Sequence, residues 1–170
     1  MKNTLILLLV IFLISTSCKD DNQYGDLVDT FISLSLISEE GKDLLNPENG
    51  DHLTESDIIL YEEKEYKQVR YKGNPNLDYP DGFFIFGGEP YYRIRIFPMP
   101  GNIETIQTYY IQWGDIGMDT IKLEIVRKND NAYEVTEKVW YNGEKVYDEN
   151  IEYGRRHFII TKDIQNEENQ

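Results

Sequence analysis

Tyr133-Glu134-Val135-Thr136-Glu137-Lys138-Val139-Trp140-Tyr141-Asn142-Gly143-Glu144-Lys145-Val146-Tyr147 is the stretch that decides the fold. On an extended chain Tyr133, Val135, Glu137, Val139 and Tyr141 fall on one side, and Glu134, Thr136, Lys138 and Trp140 on the other. Asn142 and Gly143 both tolerate the positive φ of a type I′ turn, so the chain reverses there and Glu144 to Tyr147 returns alongside.

The same grammar extends in both directions. Upstream, Thr105 to Trp113 and Thr120 to Arg127 are strand-like, separated by the turn Gly114-Asp115-Ile116-Gly117 and followed by the turn Lys128 to Asn131. Tyr92, Ile94 and Ile96 alternate with Arg93 and Arg95, and Pro98 and Pro100 end that strand because they cannot donate ladder hydrogen bonds. Phe83 to Phe86 is a compact apolar strand after a long Gly73 to Gly82 loop. Asp57 to Tyr61 and Glu65 to Tyr71 pair around a charged turn at Glu62 to Lys64. Leu27 to Ile37 reads as one strand with Ile32, Leu34 and Leu36 facing inward. Downstream, His157 to Thr161 forms a last short strand. Eight or nine strands and no long helix predict an all-β domain of two antiparallel sheets packed face to face, a β-sandwich of immunoglobulin-like or related topology. A small open barrel is the alternative.

The N-terminus carries a different message. Lys2, the ten apolar residues Leu5 to Ile14, and Ser15-Thr16-Ser17 before Cys18 have the basic, apolar and small-residue regions of an export signal. The apolar run is too short to span a bilayer core, which takes roughly 20 residues. Cys18 is the only cysteine of the 170 residues, so no intramolecular disulfide is available. The segment resembles a bacterial lipoprotein signal, although Ser15 stands where a leucine is usual. The resemblance implies that Cys18 becomes the first mature residue and carries lipid, and that Lys19-Asp20-Asp21 directs the protein to the outer face of the outer membrane. The chain is similar to small envelope lipoproteins of Bacteroidetes-like bacteria, through Cys18 to Asp21, Gly41-Lys42-Asp43-Leu44-Leu45-Asn46-Pro47 and Asp119-Thr120-Ile121. On this reading residues 1–17 are signal peptide, 18–26 a lipidated tether, 27–162 one β-sandwich domain and 163–170 a disordered acidic tail.

Charge narrows the partners. With 17 basic and 31 acidic residues the chain carries a formal charge of −14, which repels phosphate backbones and makes nucleic acid an unsuitable ligand. No second thiol and only two imidazoles, His52 and His157, argue against zinc. There is no Gly-x-Ser-x-Gly elbow, and two carboxylates poised for glycoside hydrolysis cannot be recognised among so many acids. Calcium is the one cofactor the sequence allows, on loops: Asp115 and Asp119 around Gly117, or Asp78 and Asp81 beside Gly82, neither with EF-hand spacing.

Aromatic residues remain, with thirteen tyrosines, seven phenylalanines and two tryptophans. Exposed rings at Trp140, Tyr109 and Trp113 would offer rigid area for a sugar or a protein. Arg93 and Arg95 could receive a carboxylate, or pair with glutamates on neighbouring strands. The expected function is a non-enzymatic, lipid-anchored surface domain that binds a glycan or an envelope protein. The alternatives are an accessory subunit of an outer-membrane complex that joins through an edge strand, and a weak carboxylate-based hydrolase.

Overall fold

A computed structural model describes residues 27–73, 75–76, 78–98, 102–128, 133–149 and 156–163. Cys18, Lys19, Asp20 and Asp21, with the expected signal peptide, the whole of the tether and most of the tail, lie outside the described residues. Eleven strands are described: β1 (Leu27–Asp29), β2 (Ile32–Ser38), β3 (Ile58–Lys64), β4 (Lys67–Arg70), β5 (Phe83–Phe86), β6 (Arg93–Ile96), β7 (Ile106–Trp113), β8 (Met118–Lys128), β9 (Tyr133–Tyr141), β10 (Glu144–Asp148) and β11 (His157–Lys162). They form two packed sheets, an all-β sandwich. The larger sheet runs β1-β9-β8-β7-β3-β4, with β10 beside the C-terminal half of β9; the smaller runs β11-β2-β6-β5.

The inner rows alternate as the sequence demands. Ile32, Leu34, Leu36, Ile94 and Ile96 from the small sheet meet Leu60, Ile111, Ile121 and Leu123 from the large one, all at most 2% exposed. Leu44 and Leu45, from the Gly41 to Pro47 stretch, join the same core. Buried Asp43 holds that stretch in place: its carboxylate accepts from Leu45 N at 2.9 Å and Tyr92 N at 2.7 Å. Gly82 sits at φ +79°, and a Cβ there would lie 2.6 Å from the Tyr71 ring. The end of the long loop can therefore pack on Tyr71 only with glycine at that position.

Three local expectations are corrected. Leu27 to Ile37 is two strands, not one: β1 pairs with β9 and β2 with β11, both in parallel, so the N-terminal segment passes between sheets at Thr30 and Phe31. The sheets are therefore mixed rather than wholly antiparallel. The turn expected at Glu62 to Lys64 lies at Glu65 and Tyr66, both with positive φ, and β3 continues through Lys64. Finally, β9 contains a bulge. Glu124 pairs with Lys138 but Ile125 with Thr136, which leaves Glu137 unpaired and shifts the inward face. Thr136, not Glu137, is fully buried, and its hydroxyl donates to Thr30 O at 2.7 Å.

Candidate functional site

The outer face of the small sheet is built from an uneven row. In register across four strands stand His157, Ser33, Arg95 and Phe84. Small serines on β2 leave low ground, and the long Arg95 side chain lies over it, its Nε 3.5 Å from Ser33 Oγ. The Arg95 guanidinium sits 4.2 Å from the Phe31 ring centroid, 5.0 Å from Phe86 and 5.8 Å from Phe84. Attraction of this kind contributes about 0.5–2 kcal/mol, depending on desolvation, and the closest ring, Phe31, dominates it. Beside it the long loop lays Tyr79 on Phe84 at 4.1 Å and 19°, and Phe97 stacks 5.8 Å from both rings. Tyr79 is 42% exposed and the three phenylalanines around Arg95 are half-buried, so the rings form a surface rather than a core.

The electrostatics of this face depart from the rest of the chain. The glutamate partners expected for Arg93 and Arg95 are absent among the described residues, because serine and phenylalanine stand opposite them on β2 and β5. Arg93 donates to Glu89 O at 2.9 Å, and its buried Nε has no partner among the described residues. Two guanidinium groups thus lie on one sheet face of a strongly acidic chain. A guanidinium held flat among rings keeps N–H donors at its edge, in the fork that matches a carboxylate.

The other candidates fall elsewhere. Tyr109 and Trp113 are buried in the core, at 1% and 0% exposure, because they share the inward face of β7 with Ile111. Buried there, they offer no exposed ring face for a sugar to stack on. Trp140 lies half-buried on the outer face of the large sheet, opposite Lys122 and Lys145, with the Lys122 ammonium 5.4 Å from its ring. The three rings do not line one depression.

Asp119 is also a core residue, 3% exposed. It accepts from Trp113 Nε1 at 2.8 Å, Asn142 Nδ2 at 2.8 Å, Lys162 Nζ at 2.6 Å and the Tyr141 hydroxyl. Burial pushes its carboxyl up, but the bonds from Asn142, Lys162 and Tyr141, with the Lys162 charge, outweigh that and hold it below the ordinary carboxylate range. Its oxygens face donors and an ammonium, so calcium has no room there. Asp115, Asp78 and Asp81 are exposed, and no group of three metal-binding side chains occurs among the described residues.

Ser35 and His157 approach to 3.0 Å, yet the pair is arranged against nucleophilic catalysis. The Ser35 hydroxyl donates to Tyr92 O at 2.8 Å, so the histidine Nε2 carries the proton and donates to Ser35 Oγ. It cannot then act as the base, and Ser35 is fully buried. Burial, then the nearby Arg93 charge, lowers the His157 pKa. Among the described residues the carboxyls that move clearly, Glu40, Asp51, Asp57 and Asp119, all move down, opposite to the raised value a general acid needs.

Sequence reading missed Phe31, Tyr79, Phe84, Phe86 and Phe97. The available signal was parity: Phe84 and Phe86 share a face of β5, as Arg93 and Arg95 do of β6, and pairing the two strands brings rings and cations together. No protein family, curated protein or solved structure matches the chain.

Proposed function

We propose that this chain is a non-catalytic binding domain, held at the outer surface of a bacterial outer membrane by lipid on Cys18, and that its aromatic and arginine face receives a carboxylated glycan. The observation that carries the reading is the Arg95 guanidinium, without a carboxylate partner among the described residues and surrounded by Phe31, Phe84 and Phe86 on an outward sheet face. Sugar rings stack on aromatic faces such as Tyr79 at little entropic cost. The Arg95 fork supplies the polar contact that fixes orientation. The overall negative charge does not forbid an acidic ligand, because beyond about 8 Å it is screened at physiological salt. The single cysteine and the Lys19-Asp20-Asp21 run that follows it support the anchored location.

Titration of the mature protein with uronate-containing and neutral oligosaccharides tests the binding. Uronate oligomers are expected to bind, and Arg95→Ala and Phe84→Ala each to weaken them at least tenfold. Absence of binding to every oligosaccharide, or affinity unchanged in both variants, refutes the assignment. Intact mass of the protein from its native host tests the anchor: an unmodified Cys18 thiol, or retention of residues 1–17, refutes it.

A further inference from the structure

A second surface departs from the rest of the fold, at the free edge of the large sheet. Among the described residues the chain makes two-residue hairpins twice. Between β9 and β10 it uses Asn142 and Gly143, at φ 49° and 86°; between β3 and β4 it uses Glu65 and Tyr66, at φ 50° and 62°. The first pair suits left-handed backbone and the second does not. Tyr66 is 97% exposed, so its ring returns nothing to folding. A groove of about 960 Å³ opens beside this turn, walled by β3, β4, the start of β7 and the segment before it. Four of the large apolar side chains most exposed among the described residues line it: Tyr66, Val69, Ile103 and Ile106.

We infer that this groove docks a polypeptide segment of apolar and basic side chains, with Tyr66 as the aromatic anchor. Glu62, Glu63, Glu65 and Glu104 line the groove against Lys64 and Lys67. Lys64 is already paired with Glu62 at 2.5 Å, so the balance left for a partner is negative. Exposed tyrosine with aliphatic neighbours is the composition of an interface anchor rather than of a solvated turn. A second copy of the chain fits poorly. It would bring two negative grooves together, and β4 laid antiparallel on itself in full register sets Lys67 against Arg70.

The test places a photo-crosslinking benzoylphenylalanine at position 66 of the full chain in the cells that make it. The expected adduct is a protein joined through a segment in which apolar residues adjoin lysine or arginine. With the same group moved to Ile103, the double substitution Glu65→Asn, Tyr66→Gly is expected to reduce that adduct at least tenfold while the protein melts no lower than the parent. Arg95→Ala is expected to leave the adduct unchanged, which separates this surface from the glycan face. An adduct to a sugar, a lipid, an acidic segment or another copy of the chain overturns the inference. So does a yield no greater than that from the same group at exposed Glu40.

Discussion

Replacing Asp119 by alanine removes one acceptor from four donors and is expected to be the most damaging single polar change in the core. Trp113 and Tyr141 are 0% and 6% exposed, so the indole N–H and phenol O–H would be left dry. Each buried donor without a partner costs about 1–3 kcal/mol. The Lys162 ammonium, whose side chain is 16% exposed, loses its carboxylate. Breaking a buried pair costs roughly 3–5 kcal/mol, less where the orphaned charge can reach water. Because the donors share one carboxylate these penalties overlap, and the expected total is about 4 kcal/mol, a large part of the roughly 5–15 kcal/mol that holds a domain together. Urea unfolding followed by tryptophan fluorescence measures it. Adding Lys162→Met to Asp119→Ala removes the orphaned charge and should restore about 1–2 kcal/mol. The same carboxylate adds an acid sensitivity. Its folded pKa is depressed, so its contribution is complete above the ordinary value of 3.8 and is lost as pH falls through the lowered folded value. A loss below about 1 kcal/mol for Asp119→Ala, or a double variant no more stable than the single, would refute the account.

Glu65→Asn with Tyr66→Gly should stabilise the domain. Relief of about 2 kcal/mol of left-handed strain, less about 0.5–1 kcal/mol for glycine entropy, predicts a gain near 1 kcal/mol in denaturant melts. His157 is held neutral by burial and Arg93, so its contribution is full above 6.5 and lost as pH falls from there toward its lowered folded value. His157→Gln should flatten stability over that range; an unchanged slope would count against the lowering by burial and Arg93. Arg156 is 8% exposed and binds both the carbonyl and the carboxylate of Asp29. Arg156→Met should therefore cost about 2–4 kcal/mol, partly recovered by adding Asp29→Asn; equal stability of the two variants would refute the pairing.

The all-β class and most strands were legible because alternation is a local signal. Tyr92 to Ile96, Thr105 to Trp113 and Thr120 to Arg127 announce their inward rows without help from the rest of the chain. What was not legible depends on partners far away in sequence. Nothing in Leu27 to Ile37 tells that its first residues pair with Tyr133 to Val135 and its later ones with His157 to Lys162. Nor does Val135-Thr136-Glu137 announce a bulge, since the inward place of Thr136 becomes affordable only through a carbonyl at Thr30. Tyr109 and Trp113 looked like ligand-binding rings because aromatic residues suit either role; the row they share with Ile111 places them inside. The Asp119 site misled for a related reason: an aspartate beside a glycine turn reads as a loop ligand until Lys162 arrives from the other sheet.

These departures do not all mean the same thing, and stability separates them. Asp119, Thr136 and Arg156 are polar groups that contradict their surroundings until their partners are counted, and then every donor named for them has an acceptor. Removing them should cost the fold several kcal/mol each. Tyr66 and Arg95 remain at odds with their surroundings after the counting is done: a bulky residue in left-handed backbone with its ring in water, and a guanidinium with no carboxylate among the described residues in a chain of charge −14. Sequences keep local conflicts of this kind chiefly where something outside the fold resolves them. Truncating Tyr66 in its hairpin should raise stability, and Arg95→Ala should change it by no more than the about 0.5–2 kcal/mol of its ring contacts. If both variants were instead as damaging as Asp119→Ala, the two surfaces would belong to the fold's own architecture and the case for ligands on them would lapse.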